Sequence, residues 1–142
     1  PKNFYQNQNY GRLFSDTYGA VSEYYQNTQI FPIMHVVGIK KELVSEYPWL
    51  PASLYKAFEE ARKIALQAIL DTSASKMTIP LIDEQIDFVH KELGPELWTY
   101  GFHNNRHVID KFLEYHHIQC LSSRLLDAEE LFHPSSMESY SL

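Results

Sequence analysis

The sequence predicts a mostly α-helical fold with one or few short strands. Apolar residues recur at helical spacing in three stretches, within residues 54–68, 82–93 and 108–116. Only residues 30–40 form a short apolar, β-branched run of the kind that is typical of a buried strand. Because one strand cannot form a sheet alone, the chain is either essentially helical or an α/β fragment whose sheet partners lie outside these 142 residues.

The first third of the chain is predicted to be a connection followed by the strand. Residues 1–29 are polar and aromatic, and we expect little core there beyond a short helix over Ala20–Gln26. Pro32 cannot donate to a strand ladder, so it marks the start of the strand, an edge or a crossing point. A short helix from Glu42 is then expected to stop before Pro48.

The best-defined helix is predicted over residues 54–68. Its apolar face, which we expect to be buried, consists of Leu54, Ala57, Phe58, Ala61, Ile64, Ala65 and Ala68. Charged residues occupy the other face, where Glu59 and Lys63 have the spacing and order of a favourable ion pair. The alanines of the apolar face would permit a close approach of a neighbouring element.

Two further helices and a capping signature are predicted in the second half. One helix over 80–93 should end at Gly94-Pro95. The next should be capped by Asn104 or Asn105, with a buried face formed by Val108, Ile109, Phe112, Leu113 and His116. Asp127 and Glu130 have the spacing of a capping box. We therefore predict three regions: 1–29 as a connection, 30–133 as the folded part and 134–142 as a disordered tail.

Composition excludes several classes of partner. The net charge of −6 argues against nucleic acid or an anionic membrane. No stretch has the length and hydropathy of a membrane-spanning helix. The single cysteine, Cys120, cannot form an internal disulfide, and this usage fits a reducing compartment such as the cytoplasm.

The histidines other than His35 give only weak metal signals. His103 and His107 are four residues apart, but no third ligand follows at a defined spacing, so a solvated helix start explains them better. His116 and His117 point about 100° apart on a helix, and we expect one to pack inward and the other to face the helix C-terminus. We predict no metal site and no cofactor.

The candidate site is centred on the predicted strand. His35 can act as a general acid or base, although a core histidine bonded to backbone is an equally good interpretation. Arg12 can hold a carboxylate through two hydrogen bonds. We predict Tyr24 and Tyr25 as catalytic residues beside His35, and we predict substrate binding by Phe31 and Met34 together with Arg12.

The order of several short motifs resembles the 4,5-dihydroxyphthalate decarboxylase family across nearly the whole chain. These motifs are Arg12-Leu13-Phe14, Glu23-Tyr24-Tyr25, residues 30–35, Tyr47-Pro48-Trp49, residues 53–61, Tyr100-Gly101, Asn105-Arg106, Phe112-Leu113, Tyr115-His116-His117 and residues 129–132. Cys120 departs from the pattern, because a glycine is expected there after the helix. His103 and His107 also stand where no histidine is expected from the resemblance.

The resemblance implies the C-terminal part of a two-lobed, solute-binding-protein-like fold. Residues 1–29 would be the end of the second lobe and the connection. Residues 30–133 would be the strand that crosses back to the first lobe and the helices that cover that lobe. The implied activity is the conversion of 4,5-dihydroxyphthalate to protocatechuate, with a small aromatic acid as the partner. A non-catalytic binding module for an aromatic or anionic molecule is the first alternative. The second is an interaction domain, and we expect self-association of this chain alone through residues 31–39.

Overall fold

The computed structural model describes residues 9–71, 73, 78–96 and 98–138. In these ranges the chain forms α1 (Thr17–Thr28), α2 (Lys41–Glu46), α3 (Leu50–Leu70), α4 (Ile82–Phe88), α5 (Phe102–Ile118) and α6 (Pro134–Met137), with a π-helical segment over Val89–Leu93 and a 3₁₀ helix over Ala128–Leu131. The prediction of a mostly helical fold is confirmed. The chain divides into two compact units, residues 1–30 and residues 31–142.

The described part of the first unit contains α1. The Asp16 carboxylate accepts a hydrogen bond of 2.9 Å from the Gly19 N–H, and Asp16 thereby caps the helix. The helix ends at Gln29, which has a left-handed backbone and donates its N–H to the Tyr25 carbonyl at 2.7 Å. A helix was expected here, and it is longer than predicted. None of its residues is buried.

The prediction of a strand within residues 30–40 is wrong. No strand occurs in the described ranges, and this segment has irregular backbone. A strand exists only beside another strand that continues its hydrogen-bond ladder, and Pro32 also lacks one of the donors. The β-branched side chains that suggested burial are instead accessible, since Val36 and Val37 are 71% and 64% exposed.

Helices α2, α3 and α6 lie together in the second unit. Helix α2 stops before Pro48 as predicted, and α3 starts with Pro51 in its first turn, where a missing N–H costs nothing. The Ser135 hydroxyl donates a hydrogen bond of 3.2 Å to the Pro48 carbonyl. The predicted tail 134–142 therefore begins as α6, a docked helical turn; residues 139–142 lie outside the described residues.

Helix α4 and the π-helical segment form the helix predicted over residues 80–93. Its apolar residues, which recur at helical spacing, face inward: Leu93 is buried, and Ile82, Ile86 and Val89 are half-buried. Gly94 ends this helix with a φ of 89°, a conformation that glycine adopts without the strain of a Cβ atom.

The hydrophobic core lies between α5 and the C-terminal segment. It consists of Phe102, Ile109, Leu113 and Ala128, with Leu126, Phe132 and Met137 packed against it. Two expectations for α5 are corrected. Phe112 is 62% exposed, because it points to the side of the helix away from this core.

The second correction concerns the start of α5. The helix begins at Phe102 after Gly101, so Asn104 and Asn105 lie inside it rather than at its cap. The Asn105 amide instead donates hydrogen bonds of 2.9 Å to the Thr99 and Gly101 carbonyls. Gly101 has a φ of 100°, and a Cβ atom there would lie 2.9 Å from the Tyr55 hydroxyl. Both facts favour glycine at this position.

The capping box over Asp127 and Glu130 is confirmed. The Glu130 carboxylate accepts from the Asp127 N–H at 3.0 Å and from Arg124 at 2.8 and 2.6 Å. Arg106 of α5 binds Asp110, Asp127 and Glu129, and its guanidinium lies 5.4 Å from the centre of the Phe102 ring. These charges fix the 3₁₀ helix against α5.

The expected burial of the apolar face of α3 is wrong. Ala57, Phe58, Ala61, Ile64, Ala65 and Ala68 are exposed, and only Leu54 of the predicted face is half-buried. The helix docks through a different side, on which Glu59 is buried. Across the described ranges, none of the helices combines the length and apolar character needed to cross a bilayer.

Candidate functional site

An aromatic contact holds the start of the candidate segment in the second unit. The half-buried Phe31 ring meets the Trp98 ring edge-on, with 5.6 Å between the ring centres and an interplanar angle of 86°. This geometry is favourable for aromatic rings because the positive edge of one meets the negative face of the other. Trp98 itself is 52% exposed, so the pair presents an aromatic surface to the solvent.

His35 follows on the same segment and is exposed. The alternative interpretation, a core histidine bonded to backbone, does not match this position. An exposed imidazole can reach a small molecule, and its ring nitrogens can donate or accept a hydrogen bond. Met34 beside it is 61% exposed. The second unit thus places Phe31, Met34 and His35 along one accessible stretch.

A charged and aromatic cluster joins α3 to Tyr100, two residues after Trp98 in the chain. The Arg62 guanidinium lies 5.7 Å from the centre of the Tyr100 ring and binds the Glu59 carboxylate at 2.9 and 2.6 Å. Hydrogen bonds from Arg62 lower the pKa of Glu59, and the same bonds raise the pKa of Arg62. A second carboxylate, Glu96, lies 3.9 Å away. The Arg62 guanidinium is therefore already bound to a carboxylate of the protein, Glu59.

Arg12, Tyr24 and Tyr25 belong to the first unit. Arg12 is exposed, and Tyr24 is 47% exposed near the end of α1. The Tyr25 side chain is half-buried. Tyr24 and Tyr25 are adjacent on the helix, so their side chains diverge by about 100°. The residues chosen from sequence are thus distributed between the two units, three in each.

Trp98 is the residue near the candidate segment that was not selected from the sequence. The sequence signals Trp98 only through the aromatic run 98–102, which by itself indicates no partner. The contact with Phe31 joins two segments far apart in the chain, and neither periodicity nor spacing reports such contacts. Arg62 was likewise missed as a partner of Glu59 and Tyr100.

His116 and His117 have structural surroundings. His116 is half-buried beside the Phe112 ring, at 5.7 Å between ring centres, and its Nδ1 atom is buried without a hydrogen-bond partner. His117 Nδ1 lies 3.4 Å from the Ser122 carbonyl near the end of α5. One histidine packs inward and the other faces the helix end, as predicted. Among the residues that the structure describes, no three histidine, cysteine, aspartate or glutamate side chains are grouped to hold a metal ion.

Comparison with known proteins gives a clear similarity to a curated enzyme. The chain is 45% identical over 130 residues to a 4,5-dihydroxyphthalate decarboxylase of Comamonas testosteroni. The match covers 92% of this chain and 39% of that relative. The chain therefore spans about two fifths of the length of the curated relative it matches. No family model matches the sequence.

Proposed function

We propose, because this chain belongs to the 4,5-dihydroxyphthalate decarboxylase family, that the complete protein removes one carboxylate from a dihydroxylated aromatic dicarboxylate. The observation that carries the proposal is the 45% identity over 130 residues. The substrate proposed is 4,5-dihydroxyphthalate and the product is protocatechuate. We place the enzyme in the cytoplasm, in agreement with the single cysteine of this chain.

The proposed step is a non-oxidative exchange of a carboxylate for a proton. A base removes the proton of the hydroxyl that is para to the departing carboxylate. The phenolate electrons then move into the ring, and a general acid protonates the carbon that bears this carboxylate. The carbon–carbon bond breaks, CO₂ leaves, and the electron pair of that bond restores the aromatic ring. The step needs a cation for the carboxylates, a base and an acid.

Residue chemistry suggests how this chain would contribute to that step. His35 is the proposed proton donor or acceptor, since its exposed imidazole is free to approach a ligand. Tyr24 and Tyr25 are proposed to act on the phenol of the substrate. Arg12 would bind a carboxylate by a bidentate contact, and Phe31 and Met34 would contact the ring. The exposed ring of Trp98 supports an aromatic surface at Phe31.

We further propose that the complete protein has two lobes, with this chain forming part of both. Catalysis requires the carboxylate clamp and the proton donor to be held together, and a misplacement of about 1 Å can cost about 10²-fold in rate. This chain alone is therefore expected to give no product. It serves as the negative control for the test below.

The test uses a chimera in which this chain replaces the matched 130-residue region of the Comamonas testosteroni enzyme. Purified chimera is incubated with 4,5-dihydroxyphthalate, with and without added divalent cations, and protocatechuate and CO₂ are quantified. Product formation is expected under at least one condition. Binding of the substrate without turnover, measured by calorimetry, would instead favour the binding module. Neither binding nor turnover by a folded chimera would contradict both functions.

A further inference from the structure

Helix α3 presents two different faces, and only one of them is packed. The packed side carries Glu59, which is buried, together with Tyr55, Arg62 and Leu66, which are half-buried. The Glu59–Arg62 pair and the contact of Arg62 with Tyr100 belong to this side. The helix therefore docks onto the rest of its unit largely through polar groups.

The other face is apolar and exposed. We define the α3 stripe as Ala57, Phe58, Ala61, Ile64, Ala65 and Ala68, all of which are exposed. Phe58 is 46% and Ile64 59% exposed. At 3.6 residues per turn, the centre of the stripe lies roughly 130° around the helix from the packed side. One packing surface cannot cover both sides of the helix, so covering the α3 stripe requires a second packing surface.

The composition of the stripe indicates the kind of surface that fits it. It contains no charged or polar side chain, and it runs for about 16 Å along the helix axis. Four of its six members are alanines, which allow another backbone to come close. Lys56, Glu60 and Gln67 border it on one side and are exposed. An uncharged stripe with a polar border is typical of permanent packing against apolar protein.

We propose that the α3 stripe is covered by the part of the complete polypeptide that lies outside this chain. The match to the Comamonas testosteroni enzyme leaves about three fifths of that relative unmatched, so a large body of protein is available to pack here. The occupant is an apolar, uncharged surface of that remainder. This inference rests on the family relation and does not depend on turnover.

Thiol labelling in the chimera tests the proposal directly. A Cys120→Gly background removes the single native cysteine of this chain, which is exposed. Ala61→Cys then places a thiol at the centre of the stripe, and Gln67→Cys places a matched thiol on the exposed polar side of the same helix. Both are reacted with a maleimide in this chain alone and in the chimera, and labelled peptides are quantified by mass spectrometry.

We expect both thiols to label rapidly in this chain alone at low concentration. In the chimera, Ala61→Cys should label at least 100-fold more slowly, whereas Gln67→Cys should keep its rate. Equal labelling of Ala61→Cys in the two proteins would overturn the proposal. So would protection of Ala61→Cys in this chain alone that grows with its concentration, since a second copy would then be the occupant.

Charge insertion gives a second readout that does not require an active chimera. This chain is tagged and co-expressed with the remaining segments of the relative, and co-purification is measured. Ala61→Glu should abolish co-purification, while Gln67→Glu, which adds the same charge on the polar side, should retain it. A wild-type chain that fails to co-purify would overturn the proposal, as would equal behaviour of the two variants. A correctly paired but inactive complex would contradict the proposed function alone.

Discussion

Arg62 holds the Glu59 carboxylate through two hydrogen bonds, of 2.9 Å from Nε and 2.6 Å from Nη2, within one turn of α3. The Arg62 side chain is 12% exposed and the Glu59 side chain is 11% exposed. Few water molecules can solvate the Glu59 carboxylate at this depth, so the Arg62 guanidinium supplies the hydrogen bonds and the compensating charge. This pair explains how α3 docks through a polar side while its apolar stripe remains uncovered.

Replacing Arg62 alone should therefore destabilise the second unit. Arg62→Met leaves the Glu59 charge buried without its partner, and we expect a loss of about 2 kcal/mol in the free energy of unfolding. The double variant Glu59→Met/Arg62→Met removes both charges and should recover most of this loss. Urea denaturation of the two variants and the wild type measures the difference. Equal stability of the single and double variants would contradict the role of the pair.

The end of α5 predicts a stabilising substitution. Cys120 has a φ of 58°, and it donates its N–H to the His117 carbonyl while the Leu121 N–H binds the His116 carbonyl. This is a Schellman motif, in which glycine avoids the steric cost of a left-handed residue. Cys120→Gly should raise the free energy of unfolding by about 1 kcal/mol. Cys120→Ala, which keeps the Cβ atom, is the control and should give no such gain in thermal unfolding.

The Glu130 carboxylate predicts a loss of stability in acid. Hydrogen bonds from Arg124 and from the Asp127 N–H lower the pKa of Glu130 from about 4.5 to about 2. The folded state therefore binds fewer protons than the unfolded state between these values, so this contribution is complete above pH 4.5 and disappears as the pH falls toward 2. Glu130→Gln should melt below wild type at pH 7, with a difference that shrinks in that window. Glu60→Gln is the control, and the same pH dependence there would contradict the assignment.

Helix periodicity predicted most elements of this fold but not their partners. The periods of α3, α4 and α5 were correct because a helix follows from local spacing. The same periods do not identify which side of a helix meets the rest of the chain, which is why the predicted burial of Ala61 and Phe112 was wrong. The run 30–40 failed as a strand because a β-branched segment needs a neighbouring strand.

In the candidate site too, the sequence identified residues by their type and position but did not reveal contacts between distant segments. His35 was selected because of its residue type and its place beside Pro32, both of which the sequence displays. Trp98 could not be selected, because its contact with Phe31 joins distant segments. Glu59 was expected to pair with Lys63, but the planar guanidinium of Arg62, three residues away, binds both carboxylate oxygens. Which of the two cations, Arg62 or Lys63, binds Glu59 depends on side-chain geometry, and the spacing of the residues in the sequence does not reveal that geometry.

His35 should be needed for turnover in the chimera if it transfers a proton. His35→Asn removes the titrating group while keeping a similar size, and we expect kcat to fall by about 10²-fold or more with little change in KM. The control is His103→Asn, which changes another exposed histidine at the start of α5. Steady-state rates of protocatechuate formation measure both. A His35→Asn enzyme with normal kcat would remove His35 from the proposed step.

The exposed segment after Phe31 should make this chain self-associate when it is alone. Met34, Val36 and Val37, which flank His35, are 61%, 71% and 64% exposed, and a group of exposed apolar side chains favours association with another copy. Light scattering over a range of concentrations should show dimers or larger species. Val36→Lys/Val37→Lys should shift the chain toward monomer because it places two like charges at the contact, whereas Gln67→Lys on α3 should not. A wild-type chain that stays monomeric at all concentrations would contradict this prediction.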